Sequence, residues 1–129
     1  MKVPDNLKVP VLAAQAALLE RDSASAITIL EKARQSGNLT VAVLDNLVVA
    51  YALEAERTGA EENREEALRL SKEILNANPS DPVAHFNRAM ILQWQDKRKE
   101  AARAFEQARQ WETDPKWRAL IENKLESLR

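Results

Sequence analysis

Residues 97–108 read KRKEAARAFEQA, and four of the first seven are basic. Charge of this kind could meet phosphates, but two earlier stretches echo the segment and change its reading. Sliding the chain by 34 residues places Arg64 on Arg98, Glu66 on Glu100, Ala67 on Ala101 and Arg69 on Arg103. Sliding the earlier stretch 26–34 forward places Ala26 on Ala101, Leu30 on Phe105, Glu31 on Glu106, Ala33 on Ala108 and Arg34 on Arg109. The shared content is a small-large-small apolar pattern at helical spacing, with charges on the other face. Ala101, Phe105 and Ala108 are therefore the packing face. Lys97, Arg98 and Lys99 are mainly its solvent side.

The composition narrows the classes open to the chain. Its 129 residues suit one domain, or one module of a longer protein. With 19 basic and 20 acidic side chains, no global field draws it to nucleic acid or to an anionic membrane. Glu100 and Glu106 interrupt the basic run, and no aromatic platform accompanies it, so a solvated helix face is preferred to a nucleic-acid patch. There are no cysteines, which excludes disulfides and thiolate metal sites. Two isolated glycines, Gly37 and Gly59, are too few for a glycine-rich phosphate loop. The opening stretch MKVPDNLKVPVLAAQ is not read as a signal peptide, and no apolar run reaches membrane-spanning length. A cytoplasmic location is the expectation.

Helix-forming residues dominate, and start and stop signals divide the chain into seven helices. Helix one is expected from Val9 to Arg21, with Pro10 in its first turn. Helix two follows Ser23 as N-cap and runs to Ser36, where Gly37 stops it. Thr40 caps helix three, which ends at Thr58 before Gly59. Asn63 with Glu66 forms a capping-box pattern, so helix four is expected to start there and to end before Asn78-Pro79. Asp81-Pro82 opens helix five, which runs to Gln95. Helix six covers Lys97 to Glu112. Asp114-Pro115 opens helix seven, 115–128. The linkers are short, which makes successive helices antiparallel neighbours.

A 34-residue period of paired helices resembles the tetratricopeptide repeat family. Ala14, Val48 and Ala89 occupy the small slot of the first helix in each pair; Ala17, Tyr51 and Leu92 follow in the larger one. In the second helix Ala26, Ala67 and Ala101 fill the small slot, Leu30, Ser71 and Phe105 the large one, and Ala33, Ile74 and Ala108 the next. Two helices cross closely only where side chains are small, and large residues fill the space between crossings. The resemblance implies an all-α right-handed superhelix: repeats at about 7–38, 40–79 and 81–113, and a capping helix at 115–128, in a single domain over 1–129. Arg88 departs from a slot usually held by Leu, and Val48 from one usually Gly or Ala. The middle repeat carries about seven extra residues between Tyr51 and Ala67. On the capping helix, Trp117, Leu120, Ile121, Leu125 and Leu128 form one apolar stripe, with Trp111 positioned to pack beneath it.

The resemblance also implies a concave, partner-binding face lined by the first helix of each pair. Carried onto this chain, that face is Val11, Gln15, Leu18 and Leu19, then Asp45, Asn46, Val49, Ala52 and Leu53, then Val83, Phe86, Asn87, Met90, Gln93 and Trp94. The core of the expected site is Gln15, Asp45, Asn46, Val49, Phe86, Asn87, Met90 and Trp94. Asn46 and Asn87 hold equivalent slots, where an amide can donate to and accept from a peptide backbone. Phe86, Met90 and Trp94 suit an apolar side chain. The two-carboxylate clamp of chaperone-binding members is not reproduced, because Val11, Gln15, Val83 and Asn87 stand where it needs Lys, Asn and Arg. Asp45 favours a basic residue instead.

Catalytic chemistry finds little support. His85 is the lone histidine; with Asp81 and Ser80 nearby it is better read as an interface residue beside a helix cap. Glu61, Glu62, Glu65 and Glu66 cluster, yet capping and solvation account for them better than metal binding does. The expectation is a non-enzymatic scaffold with no cofactor and no metal, binding a protein or peptide, with a homodimer possible. The alternative is a structural or self-associating module of a larger multidomain protein: residues 81–118 loosely resemble the repeat segment of large bacterial proteins that carry a separate effector domain.

If the repeat pattern governs this stretch, Ala101→Glu will unfold the C-terminal part by burying a charge at a close crossing. Neutralising Lys97, Arg98 and Lys99 together will leave the fold intact. Circular dichroism melts of the two variants test the pair of outcomes.

Overall fold

The computed structural model describes the backbone of residues 5–37 and 40–128, and the side chains of 12–37 and 40–128. Residue 38, where the first repeat is expected to end, lies outside them. The chain is all-α, with seven helices among the described residues: α1 (Asp5–Leu19), α2 (Ser23–Gln35), α3 (Val41–Thr58), α4 (Glu61–Ala77), α5 (Pro82–Trp94), α6 (Arg98–Trp111) and α7 (Pro115–Ser127). They form two compact units, residues 1–70 and 71–129, with the boundary inside α4. None of these helices is long and apolar enough to cross a membrane.

In the first unit α1 packs on α2, α2 on α3, and α1 also reaches α3. Ala14, Ala26, Leu30, Ala33, Val48 and Ala67 are all buried, as the small and large slots require. Ion pairs tie α4 to this unit: Arg64 reaches Glu56 of α3 at 3.6 Å, and Glu66 reaches Arg34 of α2 at 3.8 Å. Tyr51 sits beside the second pair. Burial, followed by the negative charges of Glu31 and Glu66, holds its hydroxyl above the ordinary tyrosine range.

In the second unit α5 packs on α6, and α6 on α7. Phe105 is completely buried against Phe86 of α5, and Ala101, Ala104 and Ala108 of its own helix are themselves 3% exposed or less. The alternation read from KRKEAARAFEQA is thus the observed packing face of α6. Its basic coat is exposed, though Arg98 also donates to the Ser127 carbonyl at 3.4 Å, which links the start of α6 to the end of α7.

The turns within the first and third helix pairs are the same structure. After α1, Arg21 donates to the Leu18 carbonyl at 3.0 Å and Asp22 to the Ala17 carbonyl at 2.8 Å. After α5, Asp96 donates to Gln93 at 3.0 Å and Lys97 to Leu92 at 2.9 Å. This is the paired bond pattern that closes a helix through one left-handed residue. Here that residue is Arg21 or Asp96, with φ of 60° and 61°. The middle pair ends differently. Gly59 takes φ of 73° and bonds back to Ala55 at 2.8 Å, with open space where a Cβ would stand, so the demand for glycine is purely one of backbone conformation.

Four of the expected helix starts shift, and α1, α2, α5, α6 and α7 end one or two residues earlier than expected. α1 starts at Asp5, so Pro10 lies within the helix instead of in its first turn. The N-cap of α2 is Asp22, whose carboxylate accepts from the Ser25 amide at 3.2 Å. Ser23 is buried and turns its hydroxyl to Glu54 at 3.2 Å, an interhelical bond that the sequence pattern does not announce. α4 starts at Glu61, with Asn63 inside its first turn, because Glu61 and Glu62 already supply the negative charge a helix N-terminus favours. α6 starts at Arg98, one residue later than expected. Thr40, Asp81 and Asp114 cap α3, α5 and α7 as read, each accepting from backbone amides of the first turn.

Asp22 and Lys97 occupy equivalent cap positions with nearly identical backbone, φ/ψ of −95°/70° and −92°/69°, but Lys97 makes no side-chain cap bond. Serine there would complete a capping box with Glu100. Lys97→Ser is expected to raise stability by about 1 kcal/mol, and Asp22→Ala to lower it by a similar amount, as measured by urea unfolding.

Candidate functional site

The eight residues expected at the binding face divide between the two units. Gln15 of α1 and Asp45, Asn46 and Val49 of α3 belong to the first; Phe86, Asn87, Met90 and Trp94 of α5 belong to the second. Gln15 is exposed, and Asp45, Asn46 and Val49 are half-buried. Asn46 donates one amide hydrogen to the Ala42 carbonyl of its own helix at 2.7 Å, leaving a second N–H for an outside partner. The side chain of Val11 lies outside the described ones. Ala52, expected at the face, is 5% exposed and belongs to the core, a correction that follows from its small size at a close helix contact.

The α5 surface is built more richly. One face of the helix sends Ala84, His85, Ala89, Ile91 and Leu92 into the core. The other carries Val83, Phe86, Asn87, Met90 and Trp94, at helical spacing along a single stripe. Val83 is 48% and Trp94 39% exposed, while Phe86, Asn87 and Met90 are half-buried. Phe86 packs edge-on against Phe105 at 5.6 Å between ring centroids and against Trp117 at 6.3 Å. Such edge contacts fix ring orientation as well as burying area.

Phe86 and Trp117 therefore frame a cleft of about 250 Å³ between α5 and α7. Pro82, Val83 and Ile121 complete the apolar lining, with Asn87 as its amide and Glu112 as its one ionisable group among the described residues. The Nδ2 of Asn87 is buried and has no hydrogen-bond partner among the described residues.

The α6–α7 turn holds the cleft open. The Glu112 carboxylate accepts from the amides of Thr113 and Asp114 at 3.1 and 3.0 Å. Arg118 donates to the carbonyls of Arg109 and Glu112 at 3.3 and 3.1 Å, satisfying the exposed end of α6. The capping stripe is only partly engaged as a result. Ile121 and Leu125 are buried, but Trp117 is 52% and Leu120 37% exposed, and Trp111 is 44% exposed instead of lying beneath the helix. Sequence periodicity identified the stripe but not which of its members would stay at the surface.

His85 has a structural role. Its Nε2 lies 2.7 Å from the Pro79 carbonyl oxygen, which can only accept, so Nε2 is the donor. With Asp81 capping Val83 and Ala84, it ties the loop to the start of α5. Two of the clustered glutamates likewise have arginine partners on their own helix, Glu61 with Arg64 and Glu66 with Arg69.

A second cleft, of about 260 Å³, lies in the first unit and is lined by Arg21, Ser23, Leu53, Glu56 and Arg57. Beside it Glu54 accepts from the Ser23 hydroxyl and from Arg57 Nε at 2.5 Å. The Arg57 hydrogen bond is the main force holding the Glu54 carboxyl below the ordinary carboxylate range, against the opposing pull of burial. Ser23 and Arg57 of this lining are both paired with Glu54, and Glu56 is paired with Arg64 of α4.

Residues 60–123 match the family model for the tetratricopeptide repeat. Comparison with curated proteins and with solved structures gives no match.

Because the Glu54 carboxyl is lowered in the folded chain, its stabilising effect is present above the ordinary carboxylate pKa of 4.5 and is lost as pH falls through the lowered value. Urea unfolding between pH 6 and pH 3 should show a shallower acid loss of stability in Glu54→Gln than in the parent. Equal slopes would show that the Ser23–Glu54–Arg57 cluster does not supply the effect.

Proposed function

Taking as premise that the chain belongs, over residues 60–123, to the tetratricopeptide repeat family, we propose that it is a non-catalytic scaffold that binds a segment of a partner protein. Tetratricopeptide repeats generally mediate protein–protein interaction, and the proposal gives that role a surface on this chain. The observation that carries it is the α5 stripe: Val83 and Trp94 stand substantially exposed on the side of the helix away from its buried Ala84, Ala89, Ile91 and Leu92. Large apolar side chains set in a row around a polar amide suit recognition of a peptide. In this reading Phe86, Met90 and Trp94 hold apolar side chains of the ligand, and Asn87 orients its backbone. Gln15, Asp45, Asn46 and Val49 of the first unit supply a second, more polar contact surface, with Asp45 favouring a basic residue.

A chain acting in this way needs no cofactor, and the Glu54 carboxylate that accepts from the Ser23 hydroxyl beside the second cleft is already paired with Arg57. His85 spends its Nε2 proton on the Pro79 carbonyl, which supports a structural role over general-base work.

Replacing Asn46 and Asn87 together with Ala is expected to leave the helical circular dichroism spectrum and melting temperature close to those of the parent. Binding of peptides or lysate proteins captured by the parent chain should fall about tenfold or more. A folded double variant that retains full binding would remove these residues from the interaction.

A further inference from the structure

We propose that copies of this chain associate head to tail, with the outward face of α1 in one copy docking on the outward face of α7 in the next. The inference goes beyond the partner-binding reading and does not depend on it, because Asn46, Asn87 and Met90 take no part in the contact.

α1 is a helix that its own unit leaves largely uncovered. Residues 12–19 read LAAQAALL, apolar at every position except Gln15. A helix apolar on all sides belongs in an interior. Of these side chains, however, only Ala14 is buried. Leu12, Ala16 and Leu19 recur at helical spacing along one outward line, and the two leucines are 63% and 86% exposed. Ala16, set between them, is small enough to let a second helix approach closely.

α7 carries a matching face. Ile121 and Leu125 turn inward, whereas Trp117 and Leu120 stay at the surface. Charge then selects which face meets which. Lys116 and Lys124 stand four residues before and after Leu120, on its side of the helix, while Glu122 and Glu126 lie on the far side. On α1 the exposed Glu20 stands four residues beyond Ala16, and its amide donates to the Ala16 carbonyl at 3.2 Å, which continues the helical turn. The apolar line of α1 is thus bordered by an acid and that of α7 by lysines. The units carry the same contrast: residues 1–70 hold 8 basic and 11 acidic side chains, and residues 71–129 hold 11 and 9. Two α1 faces would set acid against acid, and two α7 faces lysine against lysine. Only α1 against α7 joins opposite charges around an apolar centre, so the contact is heterologous and not two-fold. One helix face is a small contact, and the association is accordingly weak and concentration-dependent.

Sedimentation velocity of the full chain from about 10 μM to about 1 mM measures the contact. The parent should sediment as species that grow with concentration. Leu19→Glu and Leu120→Glu, both at exposed positions, should each stay monomeric over that range. Mixed in equal amounts they should form a heterodimer and nothing larger, since each keeps the face that the other lacks. Glu20→Lys should weaken association about threefold or more, as should Lys116→Glu with Lys124→Glu, and joining all three changes in one chain should restore it. Circular dichroism melts confirm that each variant keeps its fold. A parent that stays monomeric throughout would overturn the proposal. So would association that survives Leu120→Glu, the result expected if α1 meets α1, or that survives Leu19→Glu, the result expected if α7 meets α7. A mixture that stays monomeric, or a charge exchange that restores nothing, would do the same. None of these results touches binding by the α5 stripe, which the Asn46 and Asn87 double variant tests separately.

Discussion

Phe105 is the residue on which the second unit depends. It is wholly buried, and the space for it exists because Ala101, Ala104 and Ala108 present almost no side chain where α6 meets its neighbours. Removing a ring of this size from such a site costs about 3–5 kcal/mol, a large part of what a small domain has. The same contact reaches outward. Phe105 orients Phe86, Phe86 orients Trp117, and the last two form the walls of the α5–α7 cleft. Core packing and the shape of the candidate site are thus consecutive links of one aromatic series, and a change in the first propagates to the second.

The first unit is organised by the same alternation but bound together differently. Leu30 takes the place of Phe105, with Ala26 and Ala33 beside it, and the outer contacts are ionic. Arg34 bridges Glu31 and Glu66, and Glu54 gathers Ser23 and Arg57. Half-exposed ion pairs of this kind contribute little each, so the apolar slots supply most of the stability and the charges mainly fix register. Ser23, Glu56 and Arg57, three of the four polar residues lining the 260 Å³ cleft there, are already engaged within the unit. The cleft of the second unit keeps an amide donor unsatisfied and two aromatic faces partly open.

Much of the fold was legible because repeat architecture writes the same physical requirement several times. Ala26, Ala67 and Ala101 meet one demand, close helix approach, and Thr40, Asp81 and Asp114 meet another, pairing of first-turn amides. Where a residue could satisfy either of two demands, the sequence was ambiguous. Ser23 looks like a cap, yet the neighbouring Asp22 does that work and frees the Ser23 hydroxyl for Glu54. Asn63 fits a capping box, but Glu61 and Glu62 begin the helix before it. Left-handed Arg21 carries no sequence signal, whereas Asp96, of a residue type that tolerates this conformation, is a weak one, since neither is the glycine that such a turn usually selects.

For the candidate site the division is sharper. The spacing of Phe86, Asn87, Met90 and Trp94 along one helix is a property of the sequence, since a helical period assigns them to a single face. The periodicity of α7 likewise puts Trp117 and Ile121 on one stripe. Whether Trp117 is core or surface depends on how far α7 stands from α5, and local sequence does not encode that distance. It follows from the Glu112 and Arg118 hydrogen bonds at the turn and from the ring contacts behind it. The sequence by itself determined which side chains share a face. Only the tertiary structure decided that Ile121 and Leu125 are buried, that Trp117 opens beside the Asn87 amide, and that Asn46 turns one amide hydrogen back to its own helix. Periodicity specifies direction around a helix axis, whereas burial and pairing depend on what other elements bring to the same place.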